Sequence, residues 1–180
     1  ILKKIDKNDL LLSFPYQSFK YVVDFLREAA MDPKVENICI SLYRTAENSQ
    51  IVNDLMRAAQ NGKQVVAVIE LLARFDEERN ANTVELLQSA GVRVIHGTTN
   101  LKVHSKLILV ERRERGDTLK GYVYVGTGNF NEVTAGFYSD LGLLTANQDF
   151  VADCRDIFHF LGNTHVRFTC KQLVIAPYTM

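Results

Sequence analysis

The 180 residues predict an α/β domain built on a mixed parallel/antiparallel sheet flanked by helices. Three features carry that prediction. Between Val35 and His96, apolar runs too short for helices alternate with stretches of helical spacing, a βαβαβ order that favours parallel strands and right-handed crossovers. After Lys102, two further apolar runs are separated only by the polar stretch Glu111 to Leu119, which reads as a charged hairpin tip and makes the later sheet antiparallel. Apolar residues make up 47% of the chain, enough for one sizeable core, so residues 1–180 are expected to be a single catalytic-type domain.

Each element has a local reason. Leu10 to Phe14 is an extended segment stopped by Pro15. Ser18 then caps a helix in which Phe19, Val22, Val23, Leu26, Ala29 and Ala30 recur on one side, ending near Asp32 and Pro33. Val35 to Tyr43 is a buried strand, and Ile51 to Gln60 a helix closed by Asn61 and Gly62. A second strand runs from Gln64 to Leu72, a helix from about Glu77 to Ala90 stops at Gly91, and Val92 to His96 is a third strand. Lys102 to Val110 and Lys120 to Val125 form the hairpin arms, Ser139 to Thr145 one more strand, and Asp149 to Leu161 a helix ended by Gly162. The tail from Asn163 has weak strand character.

Composition narrows the function classes. Lys plus Arg and Asp plus Glu are 21 each, so no global basic field draws in nucleic acid, and any polyanion site must be a local cluster. The three cysteines lack metal spacing such as CxxC, which suits a reducing compartment and thiols used as small apolar side chains. No run of 18 apolar residues and no signal-peptide pattern occurs, so the expected location is cytoplasmic, or peripheral at the inner membrane face. The chain opens on Ile1 and closes on Met180 just after the apolar stretch Leu173 to Ala176, so it is expected to be excised from a longer multidomain chain.

Candidate chemistry gathers at strand ends, where open α/β sheets bind ligands. His104 and Lys106 are two residues apart at the head of an apolar run, which puts both on one face of a strand. A histidine near its ordinary pKa of about 6.5 is mostly neutral at pH 7 and has a lone pair with which to attack phosphorus. Lys106 can then hold a non-bridging oxygen of the transferring group. Arg44 follows the first buried strand and Arg74 the second, so both guanidinium groups belong on one rim, suited to phosphate oxygens. The plain alternative is local pairing, Arg44 with Glu47 and Arg74 with Asp76 or Glu78. The loop Gly126 Thr127 Gly128 Asn129 offers backbone N–H groups and the Asn129 amide, or is simply a turn that needs glycine. Glu132 either orients His104 through its second ring nitrogen or caps the next short helix. Tyr138 stacks on a base, bonds a phosphate, or packs as a half-buried tyrosine. His96, His159 and His165 have no such company and read as structural.

Together these residues carry a resemblance. Tyr43 Arg44 with Ser49, Ile51 and Val52, then Glu70 Leu71 with Ala73 to Glu78, then Lys102 to Leu107, Gly126 to Glu132 and Tyr138 to Leu141 stand in one order. That order resembles the long bacterial polyphosphate kinase family over about Asp9 to Thr145, and specifically the third of its four domains. The resemblance implies a phospholipase D-like fold and reversible transfer of the ATP γ-phosphate to polyphosphate through a phosphohistidine at the position of His104. It implies that Arg44 and Arg74 belong to the magnesium and phosphate site and Tyr138 to ATP binding. A guanidinium has no lone pair to give a metal, so the arginines are expected to hold phosphate oxygens that in turn carry Mg²⁺. Implied partners are ATP or ADP, polyphosphate, other domains of the same chain, and further copies in a homo-oligomer of the full-length protein, with no nucleic acid.

Two departures qualify the resemblance. The wider phospholipase D pattern has HxK, four residues, then Asp, and here Glu111 stands in that place. The family's other ATP contacts lie in domains outside this chain, so the isolated piece is expected to be inactive. Two rivals follow: a phospholipase D-like phosphodiesterase, whose sites generally take two HxK motifs where this chain has one, and a non-catalytic fragment that binds polyphosphate.

Overall fold

In the computed structural model, residues 1–70, 77–97 and 102–178 are described. The elements run α1 (Leu2–Ile5), β1 (Leu10–Phe14), α2 (Lys20–Met31), β2 (Val35–Leu42), α3 (Gln50–Gln60), β3 (Gln64–Ile69) and α4 (Glu77–Ser89). They continue as β4 (Arg93–His96), β5 (Leu107–Arg113), β6 (Leu119–Gly126), a 3-10 turn (Thr134–Gly136), β7 (Asp140–Thr145) and α5 (Gln148–Gly162). The seven strands form one sheet in the order β1-β7-β6-β5-β2-β3-β4. Pairs β2–β3 and β3–β4 are parallel, and pairs β2–β5, β5–β6, β6–β7 and β1–β7 are antiparallel. The expected mixed sheet is therefore present, with the change of direction at the β2–β5 seam.

Alternation along the strands sends side chains to two cores. Leu12, Phe14, Ile38, Ile40, Leu42, Val65, Ala67, Ile69, Ile108, Val110, Tyr122, Tyr124 and Leu144 face the layer made by α2, α3 and α4. Val68, Leu107, Leu109 and Val123 face α5, whose Val151, Cys154, Ile157 and Phe158 cover them. Two of the three helix stops read from glycine hold: Gly62 and Gly91 adopt φ of 82° and 89°, the left-handed backbone that ends a helix at low cost in glycine, whereas α5 includes Gly162 and is capped by Asn163. Ser49 caps α3 by accepting from Val52 N at 3.5 Å. Cys39 and Cys154 behave as apolar groups, burial pushing both thiols up to about 12. No helix among the described residues is long and apolar enough to cross a membrane.

Several boundaries differ from the sequence reading: β3 ends at Ile69 and not at Leu72, and α2 starts at Lys20 with Phe19, not Ser18, in the N-cap position. The hairpin arms reach Arg113 and Leu119, so its tip is only Glu114 to Thr118, closed by Glu114 N donating to Thr118 O at 2.8 Å. The strand expected from Lys102 starts only at Leu107, so His104 and Lys106 precede the strand. The reason is Ser41: its hydroxyl, fully buried, donates to Ser105 O at 2.9 Å and accepts from Leu107 N at 3.1 Å, taking the place of ladder bonds between main chains. The tail from Asn163 has no strand. It is held by Asp153, whose buried carboxylate accepts from Lys171 N, Gln172 N and Leu173 N at 2.7 to 3.1 Å.

The contact between β6 and α5 is tight enough to test. A Cβ at Gly121 would stand 2.2 Å from Val151 Cγ1, so Gly121→Ala must push α5 away from the sheet. Overpacking of this kind costs about 1–3 kcal/mol, which urea unfolding will register. Adding Val151→Ala is expected to cost less than the sum of the two single changes, because it vacates the colliding volume.

Candidate active site

Because β5 and β7 run against β2, β3 and β6, the carboxyl ends of the last three and the amino ends of the first two share one rim. Tyr43 and Arg44 follow β2, Glu70 follows β3, His104 to Lys106 precede β5, Gly126 to Asn129 end β6, and Tyr138 to Asp140 lead into β7. The residues read from the sequence thus meet on one edge, with one exception: Arg74 lies outside the described residues.

The HxK segment is fixed along its length. Val103 N donates to the buried carboxylate of Glu70 at 2.9 Å, Ser41 holds both neighbours of Lys106, and Gly126 N donates to Lys106 O at 2.9 Å. Asn80, itself buried, donates to Tyr43 O at 3.0 Å and Glu70 O at 2.8 Å, tying the ends of β2 and β3 together. On this frame His104 is exposed while Lys106 is only 5% exposed. Lys106 Nζ sits 3.0 Å from His104 Nδ1 and also donates to His104 O. The Tyr43 ring meets the imidazole edge to face with centroids 4.6 Å apart, and Lys106 Nζ and the Arg44 guanidinium lie 5.4 Å and 5.5 Å from that same ring. Such distances allow cation–π attraction.

The electrostatics follow from burial and crowding of like charge. Partial desolvation of its ring against neighbouring groups first, then the cations Lys106, Arg44 and Lys102, hold His104 below its ordinary 6.5, so it is neutral at pH 7. Burial lowers Lys106 to about 8, with Asp140 opposing the shift and Arg44 adding to it. Asp140 is the nearby anion that sequence reasoning missed. It sits beneath the glycine loop: Thr127 Oγ1 donates to Asp140 Oδ1 at 2.7 Å and accepts from Leu141 N at 3.0 Å.

The loop Gly126 to Asn129 departs from expectation in a useful way. Gly126 N is bonded to Lys106 O, and Thr127 N donates to Leu141 O at 3.0 Å, so two of the N–H groups expected for phosphate serve the sheet instead. The glycines are required by close approach: a Cβ at Gly126 would lie 2.5 Å from the Tyr124 hydroxyl, and one at Gly128 would lie 2.5 Å from Asp140 Oδ2. Phe130 anchors the loop, buried against Tyr124 with centroids 5.5 Å apart. Asn129 Oδ1 is buried with no hydrogen-bond partner among the described residues.

Two further candidates resolve differently. Glu132 is turned towards the start of α3, where Oε1 accepts from Ser49 Oγ at 2.9 Å and Ile51 N at 3.2 Å. These bonds make it a cap for α3, correcting both roles read from the sequence, since the short turn at Thr134 is capped by Asn131 Oδ1 accepting from Val133 N and Thr134 N. Tyr138 is 59% exposed and tilted against Phe137, with centroids 4.9 Å apart, so its face is open to a ligand on the rim. A cavity of about 370 Å³ runs from Lys102, His104 and Lys106 to Phe160, Leu173 and Tyr178. Among the described residues no three His, Cys, Asp or Glu side chains gather as a metal cage.

Glu111 is also accounted for. Its carboxylate accepts from Arg155 Nε at 2.9 Å, Arg155 Nη2 at 2.6 Å and Asn37 Nδ2 at 2.9 Å, which makes it a strut between β5, β2 and α5.

The family of polyphosphate kinase C-terminal domain 1 matches residues 1–167. Polyphosphate kinases of Vibrio cholerae and Escherichia coli are 44% and 43% identical over 173 residues, 96% of this chain and 24% and 25% of theirs. The chain thus spans about a quarter of the length of these curated relatives. The crystal structure of the polyphosphate kinase of Porphyromonas gingivalis superposes with a TM-score of 0.79 at 42% identity, over 92% of this chain and 28% of that one. Nuc, a phospholipase D family member of Salmonella typhimurium, superposes with a TM-score of 0.68 at 16% identity, over 87% of this chain and 94% of its own. The fold is therefore phospholipase D-like.

Burying the Lys106 ammonium has a measurable cost. Between its folded value of about 8 and its ordinary 10.5, the unfolded chain binds the proton that the folded chain has released, so stability contributed at this group rises with pH across that window. Lys106→Met is therefore expected to stabilise the fold at pH 7 by on the order of 1–3 kcal/mol. The gain should shrink as the pH is raised from about 8 towards 10.5, in urea titrations at a series of pH values.

Proposed function

The chain belongs to the polyphosphate kinase C-terminal domain 1 family, and from that premise we propose that it is the phosphoryl-carrying domain of an ATP:polyphosphate phosphotransferase. The observation that carries the reading is His104 itself, exposed, neutral at pH 7 and ringed by Lys106, Arg44 and Lys102 on a frame that fixes its backbone. A neutral imidazole attacks the γ-phosphorus of ATP, ADP leaves, and the phosphohistidine gives its phosphoryl group to the end of a polyphosphate chain or back to ADP. The P–N bond keeps its transfer potential, so the reaction is reversible.

The remaining residues take roles set by their chemistry. Arg44 and Lys106, with Arg74 and the Asn129 amide, hold non-bridging oxygens as negative charge spreads over the transferring group. Tyr138 offers its exposed ring to the nucleotide base. Where Mg²⁺ accompanies the nucleotide, Arg44 and Arg74 would hold the phosphate oxygens that carry it, and the ion would offset part of their negative charge. The cytoplasm is the compartment that supplies ATP to such a site. Glu111 supports phosphotransfer over a phosphodiesterase role, because its carboxylate is committed to Arg155 and Asn37.

With γ-labelled ATP, the full-length gene product is expected to acquire an acid-labile, base-stable label on His104. His104→Ala removes it, and undiminished labelling of that variant would refute the reading. Arg44→Ala is expected to slow labelling by about 2–4 kcal/mol in the barrier, the usual effect of removing one charge-stabilising contact.

A further inference from the structure

The geometry points to Lys106 as the proton acceptor for Nδ1 of His104 during phosphoryl transfer, and not only as a fixed cation beside the phosphate. The inference rests on the reading of His104 as phosphoryl acceptor. Lys106 Nζ faces Nδ1 at 3.0 Å, and among the described residues no carboxylate bonds to the imidazole, Glu132 being turned to α3. A neutral imidazole carries one proton. While an ammonium donates to Nδ1, that proton sits on Nε2, and Nε2 has no lone pair with which to attack. For Nε2 to become the nucleophile the proton must sit on Nδ1, and the group 3.0 Å away must then accept it. An ammonium cannot accept. A neutral amine can, using one N–H for His104 O and its lone pair for Nδ1–H, which matches the two contacts that Nζ makes.

The surroundings make the neutral amine accessible. Lys106 is buried; Arg44 beyond β2 adds positive charge near it, Asp140 at the head of β7 opposes, and the Tyr43 ring lies against both it and His104. Arg44 and Lys102 also face His104 and favour its neutral form. These influences leave Lys106 with a value of about 8, so the amine is a minor form at pH 7 and the major one a unit above 8.

The step balances. Nε2 attacks the γ-phosphorus, the N–P bond forms as the bond from phosphorus to the β–γ bridging oxygen breaks, and ADP leaves with that electron pair. The Nδ1 proton passes to Nζ. The amine becomes an ammonium as the phosphoryl group arrives beside it, which stabilises the dianion. In the second half-reaction the ammonium returns the proton to Nδ1, which makes the imidazole a better leaving group.

Two measurements test this. In ¹⁵N spectra of this chain from pH 6.5 to 10, His104 is expected to change from the Nε2–H to the Nδ1–H tautomer as Lys106 titrates near 8. A tautomer that does not change through that titration would overturn the inference without any variant having to fold. In the full-length gene product, kcat/KM for labelling by ATP is expected to rise through about pH 8. Lys106→Arg, which keeps the charge and cannot take the proton, should lower it by on the order of a hundredfold or more and flatten the rise. A kcat/KM that falls above pH 8, with Lys106→Arg within a few-fold of the natural chain, would identify Lys106 as a fixed cation and refute the transfer. Complete absence of label on His104 would instead remove the phosphohistidine reading, and this inference with it.

Discussion

The antiparallel seam between β2 and β5 is the constraint on which the rest depends. On one side lies a parallel βαβαβ unit, on the other an antiparallel meander, and only the reversal at this seam brings the amino end of β5 to the rim where β2 and β3 end. The seam closes on a side chain. Where main-chain pairing stops after Ile40 and Ile108, the Ser41 hydroxyl bonds Ser105 O and Leu107 N, so the chain around Lys106 is held without belonging to a strand. An extended segment fixed at Val103, Ser105, Lys106 and Leu107 loses little further freedom on binding, which is what preorganised electrostatics requires.

That frame supports a cluster which is unfavourable for folding. His104, Lys106, Arg44 and Lys102 crowd one corner, with Asp140 as the opposing charge and the Tyr43 ring as an apolar wall between cations. Burying an ammonium among like charges destabilises the folded chain. The fold offsets this elsewhere, through two apolar cores and through buried polar bonds that hold loops without charge, such as Asn80 to the ends of β2 and β3. Like charges crowded at the cost of stability are the pattern of a functional site, and an anionic group placed among these cations would relieve their repulsion.

Much of this was legible from spacing. The strands and helices of the βαβαβ unit follow from apolar runs punctuated by glycine and proline, and a right-handed parallel unit leaves Arg44 at a strand end. The unreadable parts are those in which a side chain replaces main chain or a distant residue supplies the partner. Ser41 looks like one more small residue in an apolar strand, and nothing in its neighbours announces a bond to Ser105. Glu132 follows the glycine loop closely enough to suggest service to His104, yet it caps α3, some 80 residues earlier in the chain. The loop glycines signal a turn by habit, and here they leave room for the Tyr124 ring and the Asp140 carboxylate, both set by strand register. Long-range register is what periodicity cannot report.

Glu111 shows how one fold diverges in chemistry. The phospholipase D pattern places an acid at this point after HxK, and the superposition on Nuc shows that the fold is shared. In this chain the carboxylate lies on β5 facing α5, where Arg155 and Asn37 saturate both of its oxygens. A carboxylate so bound contributes to packing between helix and sheet and is poorly placed to take a proton or orient an imidazole. With that acid withdrawn and Glu132 committed to a helix cap, the ionisable side chain that bonds to a ring nitrogen of His104 among the described residues is Lys106. A histidine whose ring nitrogen faces a base that becomes cationic is suited to receiving a dianionic phosphoryl group and releasing it again. A histidine steadied by a permanent carboxylate would instead meet that group with added negative charge.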